Sequence, residues 1–308
     1  MKKNVALIFP GQGAQKVGMG KEFYQMSPQA KAVFDEAQRI CANDLLQVMF
    51  EGPEEQLTQT AFCQPAILTM SIAALKAFEA HSKFKNISVK FTAGLSLGEY
   101  SALAASNTIS FADTLGLVQK RGAFMEEAAN QAKGAMAAVI GFDKNKLIEI
   151  CRQTGAEVAN FNSNEQIVIT GHAAKVAAAI EAIKAAGGQK IIPLSVSGAF
   201  HSSLMQPAAD KFKAVLKDVA IHPTGIKVIT NVNGLPQDDA QVIRANLAKQ
   251  ITSSVQWVAS IEHMIAQGIN EFIEIGPGKV LKGLMRRINT NAVVHNIEKP
   301  ADIDAIPE

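Results

Sequence analysis

Cysteine is scarce in this chain. Cys41, Cys63 and Cys151 are scattered over 308 residues with no C-x-x-C pair, which excludes a disulfide framework or a zinc knuckle as the organising device. An excess of one charge is also missing. Thirty Lys and Arg face 28 Asp and Glu, a formal net charge of +2, so nothing global argues for nucleic acid or an anionic membrane as partner. The opening MKKNVALIFPGQG places lysines before an apolar stretch, but that stretch runs only from Val5 to Phe9 before Pro10-Gly11. It is too short for the apolar region of a signal peptide, and no later stretch reads as the ~20 apolar residues of a membrane span. Repeats, low-complexity tracts and long linkers are absent as well. What is present is apolar material, 48% of the residues, enough for a core in one large unit or two smaller ones. A soluble, cytoplasmic, monomeric globular protein is the expectation.

Val5–Phe9, stopped by Pro10-Gly11, reads as a strand buried on both faces, as in a parallel sheet. A long helical region follows and contains 64–81, with Pro65 near its first turn. Residues 87–93 alternate, Ile87, Val89, Phe91 and Ala93 against Ser88, Lys90 and Thr92, and so read as a second strand. This runs through Gly94 into the helical spacing of Leu97, Tyr100, Leu103 and Ala104; Ser110 with Asp113 then starts a helix over about 111–130. Residues 132–198 have their own order of elements, βαββαβ, which is ferredoxin-like and can close a small core. Helices at 204–218, 239–250 and 257–267 and strands at 226–232 and 270–275 then resume the larger pattern. The architecture expected is an α/β-hydrolase-like domain with a parallel sheet, built from 1–131 and 199–308 and interrupted by a small ferredoxin-like subdomain.

Gly94-Leu95-Ser96-Leu97-Gly98 fits G-x-S-x-G with a strand before it and a helix after it. A serine on such a turn stands clear of the sheet, and the free N–H groups of the following helix can stabilise charge on a carbonyl oxygen. The same pentapeptide can also be a structural turn. A hydroxyl nucleophile needs a base. His81 and His263 lie in helical patterns, His172 precedes a helix, and His222 and His295 fall in loop-like surroundings, whereas His201 follows the small residues Ser197-Gly198-Ala199 where the insertion rejoins the main domain. A domain junction is a natural cleft. Arg121 lies on the apolar stripe Phe111, Leu115, Val118, Gly122, Met125; it either reaches the helix edge or faces a cleft as a cation needing an anion. Gly11-Gln12-Gly13 can bring backbone donors to the sheet's carboxyl end, but Lys16 breaks the G-x-G-x-x-G pattern and excludes a nucleotide role.

Taken together, FPGQGAQKVGMG (9–20), GLSLGEYSALAAS (94–106), VQKRG (118–122), NFNSNEQIVITG (160–171), GAFHS (198–202), QITSSVQW (250–257) and EIGPGKVLKGLMRRI (274–288) resemble, in order and over nearly the whole chain, the malonyl-CoA:acyl carrier protein transacylase family of bacterial fatty-acid synthesis and its polyketide acyltransferase relatives. The resemblance implies Ser96 as nucleophile and His201 as its base, with His201 oriented by the backbone carbonyl of Gln250. It implies the backbone N–H groups of Gln12 and Leu97 as oxyanion donors, and Arg121 as a two-pronged clamp on the malonyl carboxylate. Phe200, Met125, Gln64, Asn160 and Asn162 would line the acyl pocket and cleft. Two positions depart from the family's pattern: Leu95 stands where many members carry His, and Ala14 where Ser is common. Neither is a position with a catalytic role.

The reaction so implied is ping-pong transfer of malonyl from malonyl-CoA, its substrate, to the phosphopantetheine thiol of acyl carrier protein, with no metal or redox cofactor. A stand-alone acyltransferase serving a polyketide synthase is the nearest alternative, and a serine esterase or thioesterase a more distant one, because a hydrolase of neutral esters has no use for a buried Arg121. Carrier proteins of this kind are acidic, which makes Lys279, Lys282, Arg286 and Arg287 candidates for a basic docking patch.

Overall fold

The apolar run near the amino terminus forms β1 (Lys3–Phe9), and its two faces are buried in different cores. Val5, Leu7 and Phe9 pack with helices on one side of the sheet, Ala6 and Ile8 with Trp257, Ile261 and Leu281 on the other. The computed structural model of the protein describes residues 2–41 and 43–307; Met1 and Glu308, the outer ends of the expected large domain, lie outside these. After β1 come α1 (Lys21–Met26), α2 (Pro28–Ile40), α3 (Leu45–Glu51), α4 (Glu54–Thr58) and α5 (Thr60–Ala80). The last covers nearly all of the 64–81 expected within a longer helical region and runs through Pro65, which removes a single donor near its start. By length and composition α5 could cross a membrane, contrary to the sequence reading. It passes that test because it is a core helix, 78% buried against the sheet and its neighbours.

Next come β2 (Ile87–Gly94), α6 (Gly98–Ala105) and α7 (Phe111–Gln131), with the Ser110 hydroxyl accepting the Asp113 N–H at the start of α7, 3.0 Å away. The segment that follows contains β3 (Gly134–Ile140), α8 (Lys144–Thr154), β4 (Glu157–Phe161), β5 (Gln166–His172), α9 (Ala173–Ala185) and β6 (Lys190–Pro193). Its strands form a separate antiparallel sheet in the order β4-β5-β3-β6. The core beneath that sheet, with Ala137, Val139, Leu147, Ile169, Val176 and Ile183 at its centre, uses residues of this segment alone.

The remainder comprises α10 (Gln206–Leu216), β7 (Lys227–Ile229), β8 (Pro236–Gln237), α11 (Ala240–Gln250), α12 (Trp257–Ala266), β9 (Glu271–Ile275), α13 (Val280–Ile288), β10 (Val293–Ile297) and α14 (Pro300–Asp304). The large sheet has the order β10-β9-β1-β2-β7-β8. It is parallel from β10 to β7, and only the two-residue edge strand β8 is antiparallel. The strand expected at 226–232 is shorter, since the chain turns at 230–234 to make that edge. His295, expected in a loop, lies in β10.

The carboxyl ends of β1 and β2 sit side by side, where parallel sheets place their binding crevices. Between them the packing leaves no room for side chains at two glycines. A Cβ on Gly94 would come within 1.9 Å of the Gly98 carbonyl carbon, and one on Gly98 within 2.1 Å of the Phe9 oxygen. Both obstacles are backbone. Gly98→Ala should therefore force the turn open and destabilise the protein by about 1–3 kcal/mol or more, whereas Gly116→Ala on α7, where an added Cβ meets nothing within 4 Å, should be neutral or stabilising. Urea denaturation midpoints of the two variants check this contrast.

Candidate active site

The turn from β2 into α6 places Ser96 at φ 52°, a left-handed conformation uncommon for a residue with a Cβ. Two side-chain amides hold it there. Ser96 N–H donates to Asn231 Oδ1 (2.7 Å), Asn231 Nδ2 donates to the Gly94 carbonyl (2.7 Å), and Gln250 Nε2 donates to the Ser96 carbonyl (2.9 Å). The strained peptide thus has both its polar groups engaged, and the Ser96 hydroxyl is presented to His201, 2.7 Å from Nε2.

His201 is itself left-handed, with φ 59°, and buried at 4% exposure. Its Nδ1 lies 2.9 Å from the Gln250 carbonyl and 3.1 Å from that of Ser253. Carbonyl oxygens only accept, so Nδ1 carries the ring hydrogen and Nε2 is the bare nitrogen facing the serine hydroxyl. Burial, reinforced by the positive charge of Arg121, lowers the His201 pKa to about 4. The imidazole is therefore neutral near pH 7, the state a base requires.

Arg121 does not reach the edge of its helix. It is 1% exposed, with Nη1 donating to Gln64 Oε1 (2.8 Å) and Nη2 to Gln250 Oε1 (3.1 Å) and Ser96 Oγ (3.2 Å). Its guanidinium carbon lies 5.3 Å from the centre of the Tyr100 ring. Burial lowers its pKa, against the opposing influence of Tyr100 and Glu99. In the folded chain its donors meet neutral acceptors and an aromatic face, with the carboxyl group of Glu99 nearby. Its Nε has no acceptor among the described residues.

Glu99 and Asn231 escaped the sequence reading, as did the side chain of Gln250. Glu99 is fully buried; its Oε2 accepts from Asn231 N (3.0 Å) and Gln250 Nε2 (2.7 Å), and burial pushes its pKa up to about 7. A signal was present. Gly98–Ala105 is buried along its whole length, and a lone acid inside so apolar a helix is unlike a solvated charge.

The cleft of roughly 170 Å³ above these groups also takes in Gln12, Leu97, Gln64, Met125, Asn160, Asn162 and Phe200. Gln64 Nε2 reaches Gln12 Oε1 (3.4 Å) and Met125 sulfur (3.9 Å), and the Phe200 carbonyl accepts from Thr170 Oγ1 (2.9 Å). Asn160 and Asn162, from β4 and the turn after it, form the wall contributed by the small sheet, with Asn162 Oδ1 unpartnered among the described residues. Among those residues the backbone N–H groups of Gln12 and Leu97 have no acceptor in the chain. Leu95 lines the same cleft and packs on the core behind the sheet. The structure therefore brings together every residue singled out from the sequence for this site.

The other histidines lie elsewhere. The rings of His81 and His172 accept backbone N–H groups at helix starts, His263 meets Phe91 edge-on, and His295 is 3.5 Å from Glu271. Of the candidate basic residues, Lys279 borders a separate cavity with Lys16 and Glu298, while Arg286 and Arg287 are exposed near the end of α13, where the Ile288 carbonyl accepts from Asn164. Among the described residues no group of three or more His, Cys, Asp or Glu is placed to hold a metal ion.

Comparison with known proteins gives the chain its family. A family model described as "Acyl transferase domain" matches residues 6–299. The malonyl CoA-acyl carrier protein transacylase of Bacillus subtilis is 44% identical over 305 residues, 97% of this chain and 95% of that protein. Among solved structures, the acyl-carrier-protein-S-malonyltransferase of Bartonella henselae has a TM-score of 0.93 at 39% identity, covering 98% of each chain. A malonyl-transacylase solved in complex with its type II PKS acyl-carrier protein has a TM-score of 0.93 at 35% identity, covering 99% of this chain and 98% of that one. Matched by that model along almost its whole length and 44% identical to the Bacillus subtilis enzyme, this chain belongs to the acyl transferase family.

Proposed function

We propose that the protein transfers a malonyl group from malonyl-CoA to the phosphopantetheine thiol of an acyl carrier protein, through a malonyl ester on Ser96, in fatty acid biosynthesis. The observation that carries this reading is the meeting of three groups at one oxygen: Ser96 Oγ lies 2.7 Å from His201 Nε2 and 3.2 Å from Arg121 Nη2. Nucleophile, base and a cation for the substrate's free carboxylate then share one cleft.

In the first half-reaction His201 Nε2 takes the Ser96 proton as the oxygen attacks the thioester carbonyl. Negative charge on the tetrahedral oxygen is stabilised by the N–H groups of Gln12 and Leu97. The Gln250 and Ser253 carbonyls at Nδ1 support the imidazolium. It returns the proton to the departing coenzyme A sulfur, leaving the malonyl ester. In the second, the carrier's thiol gives its proton to His201, its sulfur attacks the ester carbonyl, and Ser96 leaves with the proton. The residues of the chain suffice for each transfer; in this reading no metal or redox cofactor takes part. Arg121 would exchange one of its present acceptors for the malonyl carboxylate, fixing the thioester while Phe200 and Met125 bound the acyl group.

The fold fits this division of labour. We read 1–131 and 199–308 as an α/β-hydrolase-like catalytic domain and 132–198 as a ferredoxin-like subdomain, since the strand order β4-β5-β3-β6 and the separate core are those of a closed βαββαβ unit. Arg286 and Arg287, near the wall of the cleft, are the basic residues best placed for an acidic carrier. Service to a polyketide synthase is the second reading, favoured by the likeness to a transacylase solved with a type II PKS carrier; only the carrier differs. We take the enzyme to work as a cytoplasmic monomer.

Intact-mass analysis after brief exposure to malonyl-CoA tests the reading: a malonyl adduct should form and discharge faster to carrier protein than to water. Ser96→Ala should abolish the adduct with the fold intact, and peptide mapping that found malonyl on Ser101 or Ser202 would overturn the assignment. His201→Ala should slow single-turnover acylation by about 10²–10⁴-fold. Arg121→Ala should depress malonyl transfer by roughly 10²-fold or more, as expected when one partner of a buried ion pair is lost, while acetyl transfer falls far less. Arg121→Lys, which keeps charge but not the two-pronged geometry, should restore it only partly. Equal losses for acetyl-CoA and malonyl-CoA would make Arg121 structural.

A further inference from the structure

Glu99 does not line the cleft, yet each group that does the chemistry is one or two hydrogen bonds away from it. Its Oε2 receives the Asn231 N–H at 3.0 Å and Gln250 Nε2 at 2.7 Å. Asn231 is the residue whose side chain takes the Ser96 N–H, and Gln250 is the residue whose Nε2 also reaches the Ser96 carbonyl, whose Oε1 receives Arg121, and whose backbone oxygen orients His201. The other carboxylate oxygen, Oε1, is buried with no partner among the described residues. A carboxylate so placed does not add to the strength of the fold by the usual reckoning, because burying it unpaired on one side is costly.

We propose that Glu99 is a positioning residue of this site: its ionised carboxylate fixes Gln250 and Asn231, and through them the strained Ser96 and its base, so that the serine is competent only while Glu99 is without its proton. This rests on the serine–histidine reading given above. Oε1 has no partner among the described residues, and a hydrogen on Oε2 would compete with the two N–H groups already there. A neutral carboxyl is also the weaker acceptor. In either case the hold on the Gln250 amide between Ser96 and Arg121 is weakened, and Arg121 loses the influence of a nearby carboxylate.

The setting puts this proton in a range that matters. Burial raises the Glu99 pKa to about 7, while burial and Arg121 lower that of His201 to about 4. Arg121 on α7 and Tyr100 beside it on α6 are the titratable groups that face Glu99, and His201 feels the same Arg121 charge. Beyond burial, the influences on Glu99 come from Gln250, Asn231 and Arg121; among the described residues none comes from α5, β1, β2 or β7, the other elements packed on α6. Glu274, also pushed up to about 7, accepts from the Leu281 and Lys282 N–H groups at the start of α13 and touches none of these residues. Glu99 is the titratable group bonded to both Gln250 and Asn231, so an acid limb that disappears in Glu99→Gln belongs to it.

The test is single-turnover acetylation of Ser96 by p-nitrophenyl acetate, quenched and read by intact mass across pH. It needs only nucleophile and base, so a protein that acetylates here but refuses malonyl-CoA would refute the proposed transfer and leave this proposal standing on its own result. The wild-type rate should rise through about pH 7. Glu99→Gln cannot ionise. It should give a flat profile at the wild type's acid-side level, about 10- to 100-fold below the wild-type plateau, the scale of a small misplacement of reacting groups. Glu99→Asp should keep a limb with a displaced midpoint. A wild-type-shaped limb in Glu99→Gln, a wild-type rate throughout, or no limb near pH 7 in the wild type overturns the proposal. If Glu99→Gln does not fold, Glu99→Asp decides, since an unmoved midpoint would assign the limb to another group.

Discussion

A guanidinium with 1% exposure sits at the centre of this molecule, and much of the site is arranged around keeping it there. Burying such a charge costs several kcal/mol unless its donors find acceptors. Gln64 on α5, Gln250 on α11 and Ser96 on the turn before α6 supply them, the Tyr100 ring lies alongside, and Glu99 adds a buried carboxyl group. Three separate stretches of chain are thereby tied to one side chain. The same bonds set the nucleophile, because the Gln250 side chain that accepts from Arg121 also donates to the Ser96 carbonyl. Satisfying the cation and aligning the serine are a single structural problem, solved by the same side chains.

Strain is concentrated where the chemistry is. Ser96, Asn107 and His201 are the non-glycine residues with positive φ among those described, and two of the three face each other across 2.7 Å. Each is constrained by tertiary contacts rather than by its neighbours in sequence. Ser96 depends on Asn231 and Gln250, and the ring of His201 on the carbonyls at 250 and 253. A backbone in this region persists only when its surroundings over-determine it, which is the service those amides and carbonyls provide.

Local pattern carried the sequence reading a long way. The doubly buried β1, the alternating β2, the capped start of α7 and the small insertion's six elements all follow from periodicity and turn chemistry acting over a few residues. The glycine–serine turn was legible for the same reason. What local pattern cannot show is a partner far along the chain: Asn231 and Gln250 stand 135 and 154 residues from Ser96, and each alone is an ordinary amide. Short edge strands were lost too. β8 has two residues, and β10 reads Val-Val-His-Asn-Ile, too mixed to alternate, so His295 looked like a loop residue until the sheet gathered it in. The apolarity of α5 had the opposite effect, since a helix enclosed on all sides by protein has the composition of one enclosed by lipid.

The edge of the small sheet is not free. Phe161 N–H donates to the Val255 carbonyl and Val255 N–H to that of Ala159, a two-bond splice between β4 and the stretch after α11, and the Ser254 hydroxyl adds a third link to the Val158 carbonyl. That stretch includes Ser253 and follows directly on Gln250, the last residue of α11; these are the two residues whose carbonyls orient His201. The wall of the cleft and the bearing of the imidazole are thus joined by one short lever. Any displacement of the small sheet against the large one would therefore be carried to the imidazole along these few residues, so the shape of the cleft and the aim of its base cannot be altered independently.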